Sequence, residues 1–230
     1  MTKSKEEISR DSYAYFLEKG APFVTARRVD ASFLDRYQAL APAPLLELWR
    51  THGLGMTHQG LACICDPADY APILDTILRG DPEIRPAESL VYAYTAFGKL
   101  LVWNARWQDV RINLPVRRIV PFQATSPPPD EDRNLALTSA LATISLATAD
   151  HRDGSEKPLF ERAVKKLGPL EFDEVYGFFP ALALGGTPAL SHLRRVKAPE
   201  HFSILAQIGS FTIIDASKRP PRPLRTAGPR

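Results

Sequence analysis

Apolar positions recur at helical spacing through residues 6–18, where Ile8, Tyr15 and Phe16 define a short amphipathic segment closed by Gly20-Ala21-Pro22. Asp30 can cap a turn running through Phe33, Leu34 and Tyr37. The run from Pro44 to Gly53 predicts a helix, with proline in its first turn and glycine just past its end. A short strand is expected over 61–65. Asp66-Pro67 then opens a helix carrying Ile73, Leu74, Ile77 and Leu78, stopped by Gly80. Residues 89–97, 99–104 and 109–114 are rich in Val, Tyr, Trp, Phe and Ile and are separated by short breaks, which predicts an antiparallel meander.

The pattern breaks at 123–133. Three consecutive prolines, Pro127-Pro128-Pro129, continue neither a helix nor a ladder and favour a stiff, extended linker. Beyond it, helical spacing returns over 134–149 (Leu135, Leu141, Ile144, Leu146), over 157–167 (Phe160, Val164, Leu167) and over 199–208. A strand is expected over 210–214. The expected fold class is α+β, with helices packed on a small antiparallel sheet, followed by a mainly helical second domain. The expected division is 1–122, a linker 123–133, a second domain 134–216 and a disordered basic tail 217–230.

One segment, residues 171–186, concentrates acids, aromatics, three glycines and a proline. Gly177 and the Gly185-Gly186 pair permit turns that other residues resist. Phe178, Phe179, Leu182 and Leu184 supply apolar area that a solvated loop would not carry. Packing explains most of this segment as a buried connector. Glu171, Asp173 and Glu174 at its entrance can also face a basic partner.

Composition narrows the class. With 230 residues, 44% hydrophobic and 24% charged, the chain is an ordinary globular sequence. It has no apolar run near membrane-spanning length, and its first residues lack the apolar core of a secretory signal, so a cytoplasmic location is expected. The net charge of +3 is unevenly spread. Residues 1–122 carry 15 basic and 14 acidic groups, residues 123–216 carry 9 and 12, and residues 217–230 carry 5 basic groups and no acid. The second half is therefore acidic, and the tail supplies the basic balance.

Catalytic patterns are missing from the sequence. Gly53-Leu54-Gly55 lacks the third glycine of a dinucleotide loop, Gly185-Gly186 lacks the Lys-Ser/Thr of a phosphate loop, and no serine sits in a nucleophile elbow. His52, His58, His151, His192 and His201 are scattered, and Cys63 and Cys65 match no zinc spacing. Arginine pairs at 27–28, 117–118 and 194–195 each have acids nearby, which argues against direct nucleic-acid binding. No cofactor or metal is expected, and the chain reads as a non-enzyme.

Two sets of motifs resemble known domains. Leu45–Gly53, Gly60, Pro67-Ala68-Asp69-Tyr70 and the run from Phe97-Gly98 to Trp103 resemble the domain called GAD-related. Leu159-Phe160, Leu167-Gly168-Pro169-Leu170, the run Asp173–Phe178, Pro180–Gly186 and Glu200-His201 resemble the second domain of immunity proteins that protect bacteria from nuclease toxins of the type VI secretion system. The resemblance spans residues 10–214 in the family's order. It implies a stoichiometric inhibitor whose partner is a cognate secreted DNase toxin.

Nuclease clefts are basic because they receive phosphates, so an acidic face suits such a partner. The candidate contacts are Asp130, Glu131, Asp132, Glu171, Asp173 and Glu174, with Tyr176 and Phe178 beside them. The alternative is a regulatory module whose aromatic segment lines a small-molecule site.

Overall fold

The computed structural model describes residues 3–123 and 126–229. The elements run α1 (Lys5–Lys19), β1 (Val24–Arg27), α2 (Ala31–Tyr37), α3 (Ala43–His52), β2 (Leu54–Thr57), β3 (Ala62–Ile64), α4 (Pro67–Ile77), β4 (Ser89–Thr95), β5 (Lys99–Asn104), β6 (Gln108–Asn113) and β7 (Arg118–Pro121). They continue with α5 (Arg133–Ala142), α6 (Leu146–Ala149), α7 (Phe160–Leu167), β8 (Glu174–Phe178), β9 (Leu193–Lys197), α8 (Ala198–Gln207), β10 (Phe211–Asp215) and β11 (Arg222–Ala227).

The central feature is a nine-stranded sheet in the order β1-β2-β3-β4-β5-β6-β7-β10-β11. All its pairs are antiparallel except β7 with β10, so the sheet is mixed. Strand alternation sorts its side chains onto two faces. Cys63, Tyr94, Leu100, Val102, Val110 and Ile112 meet α4 and α8 on one side. Ala62, Ile64, Leu90, Leu101 and Trp103 meet α1, α2, α3 and α5 on the other. Helices therefore cover both faces.

Two parts of the fold-class expectation are overturned. The sheet is large and mixed rather than small and antiparallel. The later part of the chain is not mainly helical: it forms the two-stranded sheet β8-β9 and adds β10 and β11 to the main sheet. The reason lies in strand length. β1, β2 and β7 hold four residues each, too few to show a period, and β2 is buried throughout.

The segment expected to be one helix over 134–149 divides into α5 and α6. Ser145 starts α6 with a reciprocal cap in which the Thr148 hydroxyl side chain also takes part, and Ser and Thr side chains compete with helical backbone bonds. In the tail, expected to be disordered, Arg222–Ala227 pairs with β10 as β11. Arg225 Nε donates to Asp81 Oδ2 at 2.6 Å, and the Gly228 N–H donates to the Arg79 carbonyl at 3.0 Å. Ion pairing across 144 positions thus holds a strand that its prolines and arginines disguise.

Candidate functional site

The acidic-aromatic segment builds a joint between the two halves of the chain. Strand β8 pairs with β9, setting Tyr176 opposite Arg195 and Phe178 opposite Leu193. The Tyr176 N–H donates to the Ala96 carbonyl at 2.8 Å, which ties β8 to the turn between β4 and β5. Its hydroxyl donates to the Gly168 carbonyl at 2.6 Å. Phe97 from the same turn stacks on Phe178 with centroids 6.1 Å apart and lies 5.8 Å from the Tyr176 ring.

Two glycines allow the close approach. A Cβ on Gly177 would lie 2.8 Å from His201 Nε2 and 3.0 Å from Val196 Cγ2. A Cβ on Gly98 would lie 3.1 Å from the Phe202 ring, and Gly98 has φ +81°. The Phe-Gly turn of the first half therefore meets helix α8 of the second at Phe202, and the Tyr-Gly-Phe run meets the same helix at the preceding residue, His201. Burial pushes the His201 imidazole below its ordinary pKa, so it packs as a neutral ring.

Tyr176 and Phe178, candidates for partner contact, are both buried in this joint. The acids divide. Glu174 is mostly buried and accepts from Arg195 Nη2 at 2.6 Å and Nε at 3.0 Å. Burial opposes its charge, but the Glu171 N–H and the Arg195 guanidinium outweigh that and hold the carboxyl below its usual range. Asp173 is half-buried with φ +63°, and its carbonyl accepts the Ala198 N–H at 2.7 Å, fixing the start of α8. Burial and then the Asp69 charge hold its carboxyl above the usual range.

Asp132 pairs with Lys5 at 2.6 Å. Glu171 stays exposed, with Arg195 at 3.5 Å, and Asp130 is exposed in the turn before α5. The Glu131 side chain lies outside the described residues. The exposed acids thus sit on two elements, the head of β8 and the entry to α5.

Phe179 and Leu184, expected to be buried in a connector, remain outside, as does Ile204, which the sequence reading did not single out. Phe179 is 41% exposed, Leu184 67% and Ile204 62%. Phe179 lies 5.6 Å from the His201 ring, and Ile204 stands three positions beyond His201 on α8. Leu184 sits on the turn that folds back on the cis Phe179-Pro180 bond, where a Cβ on Gly186 would meet the Pro180 carbonyl at 2.0 Å. Helical spacing could have flagged Ile204: its position falls between the buried Phe202 and Leu205, on the outward side of α8.

Among the described residues, no group of three or more His, Cys, Asp or Glu is placed to hold a metal ion. Cys63 and Cys65 are free and buried, and burial pushes the Cys63 thiol up to about 12.

With this geometry in hand, comparison with known proteins is specific. Residues 11–116 match the GAD-like domain, and residues 143–209 match the C-terminal domain of the type VI secretion immunity protein Tdi1. The chain thus carries a GAD-like match in its first part, followed by a match to the C-terminal domain of a type VI secretion immunity protein. The crystal structure of Atu4351 from Agrobacterium tumefaciens is similar with a TM-score of 0.90 at 28% identity, over 95% of this chain and 99% of that one. No curated protein matches. Among the described residues no helix is long and apolar enough to cross a membrane.

Proposed function

We propose that this chain binds a cognate secreted DNase toxin and neutralises it by occupation rather than by chemistry. The observation that carries the reading is the Tdi1-type match over 143–209, whose aromatic run is locked inside while Phe179 and Leu184 of the same run stay outside. Buried Tyr176, Phe178 and Gly177 set the joint, and exposed Phe179, Leu184 and Ile204 offer an apolar centre to a protein partner. Exposed Glu171 and Asp130 supply negative charge that suits a basic nuclease surface. The domain boundary is proposed at 123–133.

The small-molecule reading finds little room. The cavity bordered by Tyr176, Phe178 and His201 encloses only about 10 Å³, enough for one water at most. The test is calorimetric titration of the chain into the nuclease toxin that the reading requires to be encoded beside it. One-to-one binding supports the proposal, and no heat with a folded, active nuclease defeats it.

A further inference from the structure

The pair Arg27-Arg28 plays no part in the apolar surface around the joint, and it stands in a setting of its own. The end of β1, helix α2 and the start of α4 border an open cavity of about 500 Å³, within the range of small-ligand sites, about 300–1,000 Å³. Arg27, Arg28 and Arg36 line it, with Val29 and Phe33 as its apolar side.

Neighbours on a strand ordinarily face opposite sides. The register of β1 with β2 slips between Thr25 and Arg27, which leaves Ala26 as a bulge, and β1 ends at Arg27. Bulges re-aim the side chains beside them, and both guanidinium groups reach one cavity. Gly53 holds this backbone close: its φ is +74°, and a Cβ there would lie 2.4 Å from the Arg27 carbonyl.

The three arginines are held by different means, and that decides what each has left to offer. Arg27 Nη2 donates to Asp66 Oδ2 at 2.6 Å. Asp66 is buried, and its Oδ1 accepts the Tyr37 hydroxyl at 2.9 Å and the Ala68 N–H at 3.0 Å, so this carboxylate is committed on both oxygens. Arg28 Nη1 donates to the Thr51 carbonyl at 2.7 Å, a neutral group that orients the guanidinium and leaves its charge uncompensated. The Arg36 guanidinium stands 6.0 Å from the centre of the Tyr37 ring. Among the described residues, neither Arg28 nor Arg36 has a carboxylate at ion-pair distance. Asp30 is the other acid at the cavity, and its Oδ1 accepts the Phe33 N–H at 2.9 Å and the Ser32 hydroxyl at 2.8 Å. Three guanidinium groups therefore face two carboxylates, one of which is spent on Arg27.

We propose that this cavity binds the phosphoryl group of a phosphate monoester, with Arg28 and Arg36 as its main donors and Arg27 as the third. A guanidinium keeps several N–H groups after one is used, and its planar fork matches phosphate oxygens. A monoester near pH 7 brings close to two negative charges and three acceptor oxygens, which suits two unpaired cations. A carboxylate brings one charge and two oxygens. The organic part of the ester would lie on Val29 and Phe33.

The test is a heteronuclear NMR titration of the full chain with phenyl phosphate, inorganic phosphate, dimethyl phosphate and acetate at one ionic strength. Phenyl phosphate is expected to give saturable shifts confined to the amides around β1, α2 and the start of α4, with a Kd below about 1 mM. Binding should weaken as pH falls through about 6, where the dianion takes up a proton. Arg28→Gln and Arg36→Gln should each weaken it by about tenfold or more. Both leave the buried Arg27-Asp66 pair in place, so the melting temperature should hold. Asp30→Asn keeps a side chain that caps α2 but removes a negative charge, and should tighten binding by about twofold. Inorganic phosphate separates the sources: binding equal to phenyl phosphate points to the free ion, and weaker binding points to an organic ester. Shifts that never saturate, equal binding of dimethyl phosphate or acetate, or full affinity in the folded Arg28→Gln, Arg36→Gln double variant would overturn the proposal.

Discussion

Gly177 packs so closely on His201 that a Cβ at position 177 would come within 2.8 Å of the imidazole Nε2. This contact sets helix α8 against strand β8, with the Phe179 ring 5.6 Å from the same imidazole and Ile204 on the same helix.

Gly177→Ala should therefore destabilise the protein by about 1–3 kcal/mol, the usual cost of overpacking a tight core. Pairing it with His201→Ala should recover part of that loss, since the two changes share one contact. Urea melts of the two single variants and the double variant measure the coupling. Strict additivity would show that the contact does not restrain the joint.

The tail is expected to matter for stability. Arg225→Ala leaves the Asp81 carboxylate, whose side chain is fully covered, without its guanidinium, at a cost of about 1–3 kcal/mol. Burial alone would raise the Asp81 carboxyl, but the Arg225 guanidinium and the N–H groups of Ile84 and Glu83 outweigh it and hold it below the usual range. A carboxyl depressed by folding stabilises fully above its unfolded value, near 3.9, and loses that contribution as pH falls further. Thermal melts between pH 6 and pH 2.5 should show the parent losing its advantage over Arg225→Ala below about pH 4. Truncation after Ser217 should lower the midpoint further, since it also strips β11 from β10. An unchanged midpoint in either variant would mean the strand contributes nothing.

The meander β4-β5-β6 was legible because β-branched and aromatic residues fill three runs divided by short turns. The joint was legible only in part. The apolar residues of 171–186 pointed to a buried connector, but Gly177, read as a turn, lies inside β8, and that strand is buried at four of its five positions, so no alternation marked it. β11 was hidden because the group that holds it, Asp81, lies 144 positions away. The candidate acids were found by charge alone, and charge does not distinguish Glu174, tied to Arg195, from Glu171, which faces solvent.

Trp103 packs at the sheet face against α1, α3 and α5 and is 1% exposed. Trp103→Ala should cost about 3–5 kcal/mol through the void it leaves. A denaturant midpoint equal to the parent's would contradict that packing.

Charge reversal separates steering from docking. Glu171→Lys should slow association with a basic partner at low salt and have little effect near 1 M, where the Debye length shrinks to about 3 Å. Stopped-flow association rates across a salt series read this directly. A rate unaltered at low salt removes Glu171 from the approach face.

The central claim is that the exposed apolar side chains of the joint engage and silence a nuclease. The direct measurement is DNA cleavage by the proposed cognate toxin, titrated with the parent chain and with a Phe179→Ser, Leu184→Ser, Ile204→Ser variant. These positions are exposed, so the variant should melt within about 0.5 kcal/mol per site of the parent. Cleavage should vanish at one parent chain per toxin and persist at the same ratio with the variant, whose affinity should fall at least thirtyfold if the patch carries about 2 kcal/mol or more. Equal protection by the folded variant, or cleavage that continues with excess parent chain, would contradict the account.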